Sequence, residues 1–209
     1  MGFSKRWETV LAGVLLWCTA ATGQDRSLGI TVLVNNSAGV KLSVLRRAER
    51  EATRLFDAAR IEIQWVNCVE TDECRRVLGP KEFVLHIMPG GKTRSDFVFG
   101  EAFLGEDGRG KYCDVFFDRL KQTQGDVNLA LLLAAVSAHE LGHLLLGSNS
   151  HSRIGIMEPR WREDSVQKIG KGILLFTQEQ GELMRRQIQK EEDSSVRGGA
   201  INRVRRVDY

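Results

Sequence analysis

The sequence predicts an α+β domain built on one mixed sheet, and three observations carry that reading. A β-rich run is followed by an amphipathic stretch, four further β-rich runs follow it, and an apolar segment spans residues 129–146. No internal repeat and no linker to a second domain interrupts this series.

Each element has its own signal. Ile30 to Asn35 (ITVLVN) is β-rich and runs into Asn35-Asn36-Ser37, a turn and helix-start signal. Across Val40 to Arg60, apolar residues recur at helical spacing (Val44, Leu45, Ala48, Ala52, Leu55, Phe56, Ala59) with the charges opposite, which predicts an amphipathic helix. Ile61 to Val66 and Glu82 to Met88 read as the second and third strands. Phe97 to Leu104 (FVFGEAFL) reads as a strand broken by Gly100, with the marks of a sheet edge, and Tyr112 to Phe117 as the fifth. Leu129 to Leu146 is apolar nearly all round and so predicts a buried helix; His139, Glu140 and His143 argue against a membrane span. Thr177-Gln178-Glu179-Gln180 fits a capping box opening a helix to about Gln189. From 191 to 209 the chain is charged and poor in large apolar residues, which predicts a disordered tail.

The acids and bases nearly balance, leaving a formal charge of +3, which argues against nucleic acid as the main partner. Lys5 and Arg6, the apolar run Val10 to Ala21 and the small residues after it lay out a secretory signal peptide over 1–23, cleaved before Gln24. The run is too short for a bilayer, which needs ~20 residues, so no stable membrane anchor is expected. The expected product is secreted or periplasmic, with a domain over 24–190. Three cysteines remain after cleavage. In an oxidising compartment Cys68 and Cys74 are the natural disulfide pair, leaving Cys113 as a buried thiol.

The chemistry is concentrated in His139-Glu140-Leu141-Gly142-His143, an HExxH motif on the predicted buried helix. Residues four apart advance about 400° around a helix, so both imidazoles face the same way and can reach one Zn²⁺. Glu140, rotated about 100° from His139, is positioned to take a proton from a water beside the metal. A glutamate buried without a metal or partner would be costly, which favours a zinc site over a histidine-packed core. A catalytic zinc needs a third protein ligand and an open position. The helix cannot run on to supply it, because eight more residues would carry the chain ~12 Å away. Gly147 can turn the chain back, and His151 then arrives from a loop. Glu158 or Glu163 is the alternative third ligand. His86 reads as a packed or hydrogen-bonded residue, and Asp107 as part of a turn.

The segment HELGHLLLGSNSHSRIGIMEP resembles the metzincin metalloproteases, whose motif is HExxHxxGxxH followed by a methionine in a tight turn. HELGH, the Ser-His-Ser around His151 and the IMEP ending are most similar to the matrixin branch. The resemblance implies His139, His143 and His151 as ligands of Zn²⁺ and Glu140 as general base. It also implies Gly147 as the turn glycine and Met157 as the methionine beneath the metal. The fold it implies is a mostly parallel twisted sheet with an antiparallel edge strand, packed on two main helices. Both motif intervals after His143 are four residues instead of three, so the loop to His151 is two residues longer. With no long prodomain ahead of the first strand, no cysteine-switch zymogen is expected.

The expected activity is a zinc-dependent endopeptidase acting on peptide or protein substrates, as a monomer. The alternatives are a non-proteolytic zinc-stabilised binding module and a zinc hydrolase of a non-peptide amide.

Overall fold

A computed structural model describes residues 28–68, 76–90, 98–123, 128–147 and 150–203. The segment expected to be a signal peptide, Cys74, Phe97 and residues 204–209 lie outside the described residues, and with Cys74 the expected bridge to Cys68.

Five strands form one sheet: β1 (Leu28–Asn36), β2 (Ile61–Asn67), β3 (Glu82–Met88), β4 (Gly100–Phe103) and β5 (Tyr112–Phe116). Their order is β2-β1-β3-β5-β4. The pairs β1/β2, β1/β3 and β3/β5 are parallel, and β4 runs antiparallel to β5 at the edge. The mixed, mostly parallel sheet with an antiparallel edge is therefore the one expected.

Alternation places one side of each strand in the core. Val32 and Val34 of β1, Phe83, Leu85 and Ile87 of β3, and Cys113 and Val115 of β5 are buried. They meet two helices, α1 (Leu42–Ala58) and α3 (Leu129–Leu146). In α1 the buried residues Leu45, Ala48, Ala52, Leu55 and Phe56 make the predicted stripe. Its start differs from the reading of Asn35-Asn36-Ser37 as a helix signal. Asn36 instead closes a turn, accepting from the Val40 N–H and donating to the Val40 carbonyl, each at 2.9 Å.

The helix α3 matches its predicted bounds. Asn128 caps it by accepting the Ala130 N–H at 3.0 Å. Although long and apolar enough to cross a membrane, it is largely buried between the sheet and its neighbouring helices.

Two short helices, α2 (Phe117–Thr123) and α4 (Glu163–Gly170), were not anticipated. The last helix, α5, opens on the predicted capping box: Gln180 N–H donates to Thr177 Oγ1 and Thr177 N–H to Gln180 Oε1. It spans Gln178–Arg203, well past the expected end at Gln189. As far as residue 192 the extension has non-local support: Ile188 is buried, Glu191 pairs with Arg109 and Lys111, and Glu192 pairs with Lys81.

β4 is shorter than the predicted 97–104 strand, beginning at Gly100, with the pairing carried one residue further by Phe116 N–H donating to the Phe99 carbonyl. Cys113 is a free, fully buried thiol, as expected, and burial raises its pKa well above the ordinary value. Asp107 sits in a turn, its carboxylate accepting the Arg109 N–H at 3.0 Å.

Candidate metal centre

His139 and His143 project from the same side of α3, one turn apart, with ring centroids 4.8 Å apart. The helix ends at Gly147, whose N–H donates to the His143 carbonyl. There φ is 81° and ψ −161°, a region open essentially to glycine alone, and an added Cβ would sit 3.2 Å from the Gly108 carbonyl oxygen. The chain turns back, and the His151 ring lies 5.4 Å from that of His139 and 4.7 Å from that of His143. One nitrogen from each of the three lies within 4.8 Å of the others, the only such group of potential metal ligands among the described residues. The two extra loop residues therefore still deliver His151. Glu158 is not in this group, its carboxylate accepting from Ser165 Oγ at 2.9 Å, and Glu163 is exposed in the first turn of α4.

Hydrogen bonds set the tautomers. His139 Nδ1–H donates to the Ile156 carbonyl at 2.7 Å. His143 Nδ1–H donates to Ser150 Oγ at 2.9 Å, and that hydroxyl donates onward to the Gly147 carbonyl. The Nε2 atoms of the two rings lie 3.1 Å apart, close enough for one metal ion to take a lone pair from each. Burial lowers the pKa of His139 to about 4; burial, then its histidine neighbours, lower that of His143 to about 3. Burial also lowers the pKa of His151. All three are therefore neutral, metal-competent imidazoles at physiological pH.

Glu140 occupies the inner wall of the same cleft and is only 6% exposed. Burial, and secondarily the charge of Glu101, push its pKa up to about 8. A buried carboxyl group and three convergent neutral imidazoles therefore share one cleft. Such a donor set fits a divalent cation, and three imidazoles with an open side suit zinc.

Met157 is fully buried beneath α3, and Gly142 makes room for it: an added Cβ would lie 2.6 Å from Met157 Sδ. The cleft itself, about 390 Å³, is walled by the edge strand β4 on one side and by Glu158 to Trp161 on another.

No protein family description and no curated protein sequence matches the chain. Its fold is similar to that of archaemetzincin from Methanopyrus kandleri, at 17% identity and a TM-score of 0.50, over 78% of this chain and 98% of that one. A zinc-dependent peptidase from Methanocorpusculum labreanum (strain Z) matches at 16% identity and a TM-score of 0.49, over 74% of this chain and 99% of that one. The chain shares a zincin-like fold with the first, a coarser likeness than the matrixin branch that its motif resembles.

Four contributors escaped the sequence reading as participants. In the sequence Ser150 counts only as part of the Ser-His-Ser likeness around His151 and Gly142 only as a motif position, and neither the Ile156 carbonyl nor Trp161 has a role there. No local signal marks the last two, since their role depends on a chain reversal that brings residues 156 and 161 under His139. His86 is hydrogen-bonded, as expected: its Nε2 lies 2.8 Å from Ser37 Oγ, and it is not among the grouped histidines.

Proposed function

We propose that this protein is a secreted zinc-dependent endopeptidase with His139, His143 and His151 as the ligands and Glu140 as the general base. The single observation carrying the proposal is a buried glutamate beside three convergent neutral imidazoles in an open cleft. A structural site has no use for that glutamate, whereas hydrolysis does.

Zinc, when bound, supplies a Lewis acid for a water nucleophile and a peptide carbonyl. His139 and His143 keep their Nε2 lone pairs free because their Nδ1 protons are committed to Ile156 and Ser150. Glu140, returned to its carboxylate form by a nearby positive charge, takes the proton of the attacking water and delivers it to the departing amine. The exposed side of β4 offers unpaired backbone groups on which an extended peptide can lie by strand addition. The matrixin-like spelling of the motif, the periplasmic or extracellular location and a monomeric state belong to this same reading.

The test is a peptide-library digest with a chelator control and a Glu140→Ala variant. We expect zinc-dependent cleavage by the wild type, none after chelation, and a loss of ~10²–10⁴-fold in the variant, which still binds zinc. A wild type that binds zinc and cleaves no peptide would favour the binding module or the hydrolase of a non-peptide amide.

A further inference from the structure

Trp161 is more than a wall of the cleft. Its indole Nε1–H donates to the Ile156 carbonyl at 3.1 Å. That oxygen is the one that accepts His139 Nδ1–H at 2.7 Å. The same indole ring stands against the His139 imidazole, centroids 5.7 Å apart and planes at 88°. One side chain thus touches a metal-facing histidine twice, through its ring and through a shared acceptor.

The arrangement answers a physical need. The χ2 torsion of histidine is broad, so an imidazole keeps one orientation only when its second nitrogen is anchored. The anchor of His139 is a backbone carbonyl in the turn that ends at Met157, not a side chain locked by its own packing. A carbonyl oxygen has two acceptor positions, and the indole takes the second, pinning the peptide plane from the other side. A half-buried indole N–H requires some partner, but it does not require this one.

We infer that Trp161 is a positioning residue for the metal centre: it fixes the Ile156 carbonyl and, through it, the tautomer and ring angle of His139. The inference rests on the metal-centre reading above and does not depend on peptide hydrolysis.

The test uses the full chain carrying Trp161→Phe, which keeps an aromatic ring and loses the N–H, beside Trp161→Leu, which loses both. Zinc affinity is measured by chelator competition, and the Co²⁺-substituted proteins are compared by visible absorption, which reports ligand geometry. We expect Trp161→Phe to bind zinc 10–100-fold more weakly with a shifted Co²⁺ band, and Trp161→Leu to be weaker still. Should Trp161→Phe match the wild type in both measurements, the inference is overturned. The wild type supplies a reading of its own, in case the variants fold poorly. Long-range ¹H–¹⁵N spectra should show His139 as the Nδ1–H tautomer with and without metal, and an Nε2–H tautomer in the metal-free protein would also overturn it. A peptide digest that fails while the Co²⁺ band still shifts would sink the peptidase proposal and leave the role of Trp161 standing.

Discussion

Gly100 on the edge strand and Glu140 on the buried helix occupy adjoining space: a Cβ on Gly100 would fall 2.6 Å from Glu140 Cγ and 2.7 Å from the Asp114 carbonyl oxygen. The Asp114 backbone cannot yield as a flexible side chain would. Gly100→Ala must therefore displace either Glu140 or the strand on which a substrate would lie. We expect a stability loss of ~1–3 kcal/mol from overpacking, seen in urea unfolding. Peptide cleavage should drop more steeply than zinc affinity, because the ligands themselves are untouched. Equal stability and activity in the variant would contradict this expectation.

Among the described residues, Ser150 links His143 Nδ1, at 2.9 Å, to the Gly147 carbonyl, at 3.2 Å. Removing its hydroxyl leaves the His143 proton without its acceptor while leaving the helix intact. Ser150→Ala should weaken zinc binding by ~10–100-fold, read by chelator competition, with far-UV circular dichroism unchanged. Unaltered affinity would mean that water replaces the hydroxyl without loss.

The start of α5 is tied to the turn beneath the metal through Gln180, which closes the capping box and also donates from Nε2 to Ser152 Oγ at 2.9 Å. Gln180 is buried, so its loss strands partners as well as uncapping the helix. We expect Thr177→Ala to cost ~1 kcal/mol, as caps do. Gln180→Ala should cost ~1–3 kcal/mol, because buried polar groups lose their bonds. The reverse order in chemical denaturation would contradict this assignment.

The chelated protein should have a peaked stability profile in pH. Burial raises the pKa of Glu140 from 4.5 to about 8, so between those values the folded state keeps a proton that the unfolded chain has released. Stability from this group therefore falls as pH rises through that window. His139 and His143 act in the opposite sense. Their pKa values drop from 6.5 to about 4 and about 3, so the unfolded chain binds more protons below 6.5 and stability rises with pH there. Two rising contributions against one falling place the maximum for these groups at about pH 6.5. Glu140→Gln should remove the decline between pH 6.5 and 8 in urea midpoints measured with chelator. A wild-type curve as flat as the variant's in that range would refute the assignment.

How far the sequence could be read depended on the range of the interaction. His139, Glu140 and His143 were legible because their spacing on one helix is a local matter, and the bounds of α3 followed from its apolar run and the Asn128 cap. His151 was legible despite its altered spacing, since Gly147 announces a reversal and few histidines compete for the role. What stayed hidden depends on contacts across the chain. The extension of α5 rests partly on pairs with Lys81, Arg109 and Lys111, 80 to 111 residues earlier. Gly142 owes its size to Met157, and the Ile156 carbonyl gains its significance only when His139 and Trp161 meet on it. The short helix α4 has eight residues and two buried side chains, too little for a periodic pattern to stand out.

The three histidines differ in how they are held. His139 and His143 are partly buried on a helix fixed by the core, while His151 is exposed and arrives beyond a glycine turn. Two of the three donors thus belong to the rigid interior and the third to its surface, so a substitution at Gly147 reaches one donor while the core still holds the other two.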